Sequence, residues 1–195
     1  MKISSIALFC GSAAGKGEKY LQLAASVGAY CAENKLVLYY GGASLGLMRS
    51  AADSCRKLGG KVVGVTPNFF SDVEVVDTSL SELIVVDSMS ERKQLMEKSA
   101  DAFVILPGAY GTMDEFFEVL TDAQLGLHHK PVAILNAFGF YDGLLAQIET
   151  FRQEGFLREF HYHLLVVANS VTELFEKIDN YRSSNDEEWL KLIKK

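Results

Sequence analysis

The run Leu106-Pro107-Gly108-Ala109-Tyr110-Gly111-Thr112-Met113-Asp114-Glu115 decides how this chain folds. Apolar residues Ala102 to Leu106 lead into it, and the amphipathic run Phe116, Phe117, Val119, Leu120 follows. This is the pattern of a buried strand that turns through two glycines into a helix. Backbone amides at such a turn can hold an anion, and the helix macrodipole reinforces them. Asp114 and Glu115 then stand in the first helical turns, where a carboxylate can face whatever the anion carries.

Outward from this segment, the same alternation recurs. Ile3 to Phe9, Leu36 to Tyr40, Lys61 to Thr66, Leu83 to Val86, Ala102 to Leu106, Val132 to Leu135 and Leu164 to Val167 read as strands. Most are too continuously apolar to have a wet face, as expected of parallel strands covered on both sides. Helical spacing runs through Tyr20 to Glu33, Leu45 to Leu58, Met89 to Ser99, Thr112 to Gln124, Tyr141 to Glu154 and Val171 to Tyr181. The fold class predicted is α/β, a single-domain, doubly wound, Rossmann-like parallel sheet with helices on both faces. Residues 1–182 form the domain, and residues 183–195 an amphipathic helical tail with acids first and lysines last. Pro67 to Ser81 is polar and aperiodic, a candidate loop over the site. Ser88 with Glu91, Thr112 with Glu115, and Ser170 with Glu173 match the capping box.

Composition narrows the function. The 195 residues, 49% of them hydrophobic, are enough for one sizeable core. A net charge of −6 argues against a nucleic-acid footprint. Cys10, Cys31 and Cys55 are odd in number and widely spaced, which fits a reducing compartment. The first apolar run is too short for a signal peptide and no stretch is long enough to span a membrane, so a cytoplasmic protein is expected.

Other motifs are weighed in turn. Gly11-Ser12-Ala13-Ala14-Gly15-Lys16-Gly17 imitates a Walker loop but has Cys10 where the first glycine belongs and Gly17 where a magnesium-binding hydroxyl is needed. Gly11 and Ser12 are left to line a crevice at the end of the first strand. Tyr40-Gly41-Gly42-Ala43-Ser44-Leu45-Gly46 is a second glycine-rich turn, suited to close packing or to a shared ligand crevice. In Ser88-Met89-Ser90-Glu91-Arg92-Lys93, two cations stand near a helix amino terminus, where the dipole disfavours them, so a negative group should compensate. That group is either a neighbouring acid or a bound phosphate or catalytic carboxylate. Glu115 has two readings as well, as the far half of a capping box or as a reacting group. The pairs His128-His129 and His161, His163 lack a third ligand at sensible spacing, and no metal site is expected.

Together, YGGASLGLM, SMSERKQLM and LPGAYGTMDE resemble the LONELY GUY (LOG) family, long labelled lysine decarboxylases. The resemblance runs from Phe9 to Leu135. It implies a phosphoribohydrolase that releases the base from nucleoside 5'-monophosphates, among them cytokinin riboside 5'-monophosphates and AMP. The catalytic pair would fall on Arg92 and Glu115. Substrate contacts would fall on Gly11, Ser12, Gly41, Gly42, Met89, Lys93, Pro107, Gly108, Ala109, Tyr110, Gly111, Thr112, Thr121 and a carboxylate near Glu74. The resemblance implies a homodimer with no cofactor and no metal. Ala109 and Ala43 depart from the family's glycines. If those positions need positive φ, alanine strains the cradle, and the alternative is a nucleotide-binding or sensing module without turnover.

Overall fold

The structure is a computed structural model, and it describes residues 2–71, 77, 80 and 82–183. Seven strands, β1 (Ser5–Phe9), β2 (Val37–Tyr40), β3 (Val62–Pro67), β4 (Leu83–Val86), β5 (Ala102–Ile105), β6 (Val132–Leu135) and β7 (Leu165–Ala168), form one sheet in the order β4-β3-β2-β1-β5-β6-β7. Every pairing is parallel. The helices between them are α1 (Lys19–Glu33), α2 (Gly46–Lys57), α3 (Asn68–Ser71), α4 (Met89–Ser99), α5 (Tyr110–Gln124), α6 (Asp142–Gln153), α7 (Glu159–Tyr162) and α8 (Val171–Asn180).

The two faces follow from side-chain alternation along each strand. Ile6, Leu8, Leu38, Val104 and Leu135 pack with Val27 and Cys31 of α1, Ala51 and Cys55 of α2, and Leu174 and Phe175 of α8. Their neighbours Ala7, Phe9, Phe103, Ile105 and Ile134 pack on the other face with Met96 of α4, Phe116 of α5 and Ile148 of α6. Helices α1 and α2 touch through Gly28, where a Cβ would stand 2.0 Å from the Ala51 carbonyl oxygen. The expected doubly wound sheet is therefore present, with β1 and β5 adjacent at the point where the winding reverses. Ligands of open α/β sheets bind beyond the strand carboxyl ends at such a switch.

Three readings change. The segment expected as a loop from Pro67 begins with the last residue of β3 and then the short helix α3. Helix α5 starts at Tyr110, with Met113 N–H already bonded to the Ala109 carbonyl at 2.9 Å. Thr112 and Glu115 lie inside the helix and are buried, so they form no capping box. The other two serines do cap their helices: Ser88 Oγ accepts from Glu91 N–H at 3.1 Å and Ser170 Oγ from Glu173 N–H at 3.3 Å, while the two glutamates take the amides one residue before the cap, Asp87 and Asn169. The proposed tail from residue 184 onward lies outside the described residues. The three cysteines are free and buried, and none of the described helices is long and apolar enough to cross a membrane.

Candidate active site

A cavity of about 560 Å³ opens over the carboxyl ends of β1, β2, β3 and β5. Its floor is Cys10, Gly11 and Ser12 after β1 and Pro107 and Gly108 after β5. The two loops are tied, Gly11 N–H donating to the Pro107 carbonyl at 3.0 Å and Leu47 N–H to the Gly11 carbonyl at 3.1 Å. Gly46, at φ +53, lies so close to Ser12 that a Cβ would come within 2.3 Å of its carbonyl oxygen. The two glycine-rich turns are thus interlocked around one space.

Helix α5 points its amino terminus into this space. The amides of its first turn have no partner within the helix, and Ala109, Gly111 and Thr112 all line the cavity. Gly108 is required by closeness alone, because a Cβ there would stand 2.0 Å from Thr112 Oγ1. Ala109 has φ −112, and among the described residues the positive-φ residues that are not glycine are Lys35 and Phe138. The two alanine departures therefore carry no left-handed strain.

One turn into α5, Glu115 meets Arg92 of α4. Arg92 Nη1 donates to Glu115 Oε1 at 2.5 Å, and Arg92 Nε donates to the Val65 carbonyl at 3.0 Å. Both side chains are 6% exposed. Gly41 makes room for the guanidinium, since a Cβ at Gly41 would come within 2.3 Å of Arg92 Nη2. Burial raises the Glu115 carboxyl above its ordinary value of 4.5, and the positive charge and hydrogen bond of Arg92 oppose that rise. Burial likewise pushes up the Cys10 thiol, with the nearby Glu115 charge adding to it. A carboxylate fixed by a guanidinium beside an anion cradle can stabilise positive charge developing on a bound ligand.

The cations of α4 are compensated from α5. Arg92 takes Glu115, and Lys93 Nζ contacts Asp114 at 3.0 Å and Glu118 at 2.6 Å. These two pairs point to different places. Of the predicted site residues, Gly11, Ser12, Gly41, Met89, Arg92, Pro107, Gly108, Ala109, Gly111, Thr112 and Glu115 line the cavity. Gly42, at φ +73, shapes the turn behind it, its carbonyl accepting from Asp77 N–H at 2.8 Å. Lys93, Tyr110 and Thr121 line a separate open groove on the outer side of α4 and α5. Glu74 lies outside the described residues. Phe116 is core, whereas Phe117 is partly exposed in the groove.

Sequence reading missed the side walls, formed by Tyr20, Leu45, Met48, Thr66, Phe70 and Phe140. Thr66 stands near the carboxyl end of β3, and Phe70 and Phe140 follow the ends of β3 and β6 closely, and that position was the available signal. Among the described residues no three His, Cys, Asp or Glu side chains cluster as a metal site would require.

The class defined by these features is a Rossmann-like α/β protein with a ligand cavity at its switch point and a buried Arg–Glu couple. Residues 48–178 match the sequence profile of a family described as "Possible lysine decarboxylase". A probable cytokinin riboside 5'-monophosphate phosphoribohydrolase of Oryza sativa subsp. japonica is 43% identical over 90% of this chain and 78% of that protein. The cytokinin riboside 5'-monophosphate phosphoribohydrolase of Rhodococcoides fascians is 48% identical over 78% of each, and one from Arabidopsis thaliana 38% over 95% and 81%. The chain belongs to this LOG family. In fold it is also similar to the molybdenum cofactor binding protein of Rippkaea orientalis, with a TM-score of 0.69 at 23% identity over 92% of this chain and 98% of that one.

Proposed function

We propose that this protein hydrolyses the N-glycosidic bond of nucleoside 5'-monophosphates, cytokinin riboside 5'-monophosphate or AMP, giving the free base and ribose 5-phosphate. The observation that carries this is the buried Arg92–Glu115 pair one helical turn from the α5 amino terminus. The 5'-phosphate takes the amides of Ala109 to Thr112, and its binding energy aligns the sugar with the pair. Cleavage develops positive charge at C1' and the ring oxygen. The Glu115 carboxylate stabilises that charge and orients the attacking water. Arg92 holds Glu115 in place and keeps Nη2, beside Gly41, for the substrate.

A decarboxylase acting through a Schiff base needs a lysine in the cavity. Among the described residues none lines it, and Lys93 is engaged on the outer groove.

The protein is proposed to act in the cytoplasm as a homodimer. The family resemblance gives Lys93 and Thr121 to substrate, yet both lie in the outer groove with Tyr110, which is 94% exposed. A second copy packed on α4 and α5 would bring them to its own neighbour's ligand. Light scattering should give twice the chain mass of 21.5 kDa. An inactive Glu115→Gln chain mixed with a Lys93→Ala chain should regain activity, and a monomer would remove Lys93 and Thr121 from the site.

The test of the activity is incubation with AMP and its N6-isopentenyl derivative, followed by chromatography. Free base and ribose 5-phosphate should appear, and the nucleosides without phosphate should react far more slowly. Tight binding with no base released would leave a nucleotide-binding module instead.

A further inference from the structure

The cavity has a direction. Across the sheet, the amino terminus of α5 stands over β5, whereas the guanidinium of Arg92 rests on the Val65 carbonyl of β3 and faces Gly41 after β2. The Arg–Glu couple therefore lies on the β2 and β3 side of the anion cradle. A nucleotide whose phosphate is on the cradle and whose C1' is at Glu115 must carry its base further the same way, toward β3 and β4. Adjacent strands are spaced by about 4.8 Å, so one or two strands' width is enough for a purine.

What stands there is a pair of side chains in equivalent register. Pro67 of β3 is paired with Val86 of β4, and three residues beyond each come Phe70 and Met89. Both line the cavity, and both are large apolar side chains left partly exposed, Phe70 by 41% and Met89 by 38%. Their supports are joined. Asn68 Nδ2 donates to Asp87 Oδ1 at 3.4 Å, tying α3 to the turn before α4. Asp87 N–H donates to Glu91 Oε2 at 2.8 Å, which fixes that turn to the helix carrying Met89. Behind Phe70, the ring of Phe69 lies 4.5 Å away, tilted by 46°. An aromatic face and a polarisable thioether on linked supports suit a planar heterocycle.

We infer that Phe70 and Met89 grip the base of the bound nucleotide, and that Phe70 is the specificity-determining residue for planar bases and their apolar substituents. This rests on the phosphoribohydrolase reading for the placement of phosphate and C1'. The ribose and phosphate are held without Phe70, so the residue distinguishes ligands that have a base from ligands that lack one.

The experiment is calorimetric binding to wild type, Phe70→Ala, Phe70→Leu and Met89→Ala, using AMP and ribose 5-phosphate as probes. Loss of one stacking face should weaken AMP binding roughly 5- to 100-fold in Phe70→Ala. Ribose 5-phosphate binding should stay within about twofold, and Phe70→Leu, which restores bulk without an aromatic face, should recover AMP only in part. Equal weakening of both probes, or no change in either, would overturn the inference. Circular dichroism confirms that each variant is folded, and Phe70→Tyr, which keeps the ring, should bind AMP as wild type does. Turnover is measured separately. Wild type that binds AMP but frees no base removes the activity while leaving the Phe70 result to stand or fall alone.

Discussion

Arg92 Nη1 and Glu115 Oε1 lie 2.5 Å apart, each from a different helix and each almost wholly shielded from water. A charge pair so buried has little value for stability beyond offsetting its own desolvation, which is the argument for a chemical use. Glu115→Gln should lower kcat roughly 100-fold or more while leaving AMP binding within a few-fold, as expected for a group that acts on transition-state charge. The amide can still accept from Arg92, so the circular dichroism spectrum should be that of wild type. Unchanged turnover would take Glu115 out of the mechanism.

Gly41 should be as sensitive as the pair it serves. Its missing Cβ leaves the space occupied by Arg92 Nη2, and a Cβ at Gly41 would also stand 3.2 Å from the Met48 sulfur. Gly41→Ala must displace the guanidinium from Glu115. Expected are a fall of at least tenfold in kcat/KM for AMP and near-normal binding of inorganic phosphate. A fully active Gly41→Ala enzyme would mean that Arg92 need not stand where it does.

The acid limb of the pH profile should belong to Glu115. Burial raises its carboxyl above 4.5, so on going down in pH the group becomes protonated earlier than an exposed glutamate. If the carboxylate is the working form, kcat/KM falls on the acid side with a midpoint above 4.5, and the limb vanishes from the residual rate of Glu115→Gln. Stability should move the other way. The folded protein holds this proton more tightly than the unfolded chain, so the stabilisation from Glu115 is complete below 4.5 and is lost as pH rises through the raised value. Urea midpoints of wild type and Glu115→Gln should therefore diverge as pH rises across that window.

The two residues flanking the turn before α5 make a paired prediction. Ala109 has negative φ and needs no glycine, whereas Gly108 has Thr112 packed against it. Ala109→Gly should not tighten phosphate binding and should cost about 0.4–1 kcal/mol of stability through chain entropy. Gly108→Ala should push Thr112 aside and weaken phosphate binding by tenfold or more. The reverse result would make Ala109 the defect in the cradle.

How far the sequence reaches depends on whether a feature is local. The strands were legible because parallel strands buried on both faces are uninterrupted apolar runs, and Ser88 and Ser170 marked helix starts because their caps are made within four residues. Thr112 misled because T-x-x-E also occurs inside a helix, and only the hydrogen bond from Met113 N–H to the Ala109 carbonyl fixes the true start. Of the motif residues after β1, β2 and β5, Gly11, Ser12, Gly41, Gly108 and Gly111 line the cavity, whereas Gly42 stands behind it and Tyr110 in the outer groove. Phe70, Tyr20 and Phe140 did not stand out, since each comes from a separate loop and no spacing links them. The split of Arg92 inward and Lys93 outward is set by the rotation of α4 against α5, which neighbouring letters do not reveal.

His128 carries the last prediction, which concerns the frame under the site. Its Nε2 lies 2.8 Å from the carbonyl oxygen of Val119 in α5, and its Nδ1 accepts from Lys130 N–H at 3.1 Å. Both bonds are satisfied by the neutral ring with hydrogen on Nε2. A second proton would have to displace the Lys130 amide, and burial already lowers the pKa below 6.5. The unfolded chain therefore binds this proton more tightly, so the stabilisation is present above 6.5 and is lost as pH falls toward the lowered value, by at most about 1.4 kcal/mol per pH unit. Denaturation in urea between pH 7.5 and 5.5 should show wild type weakening over that range. His128→Gln should be less stable at pH 7.5 by about 1–3 kcal/mol and should lose this part of the slope. A wild-type protein equally stable at both pH values, or a variant with the same slope, would mean that His128 does not hold the end of α5.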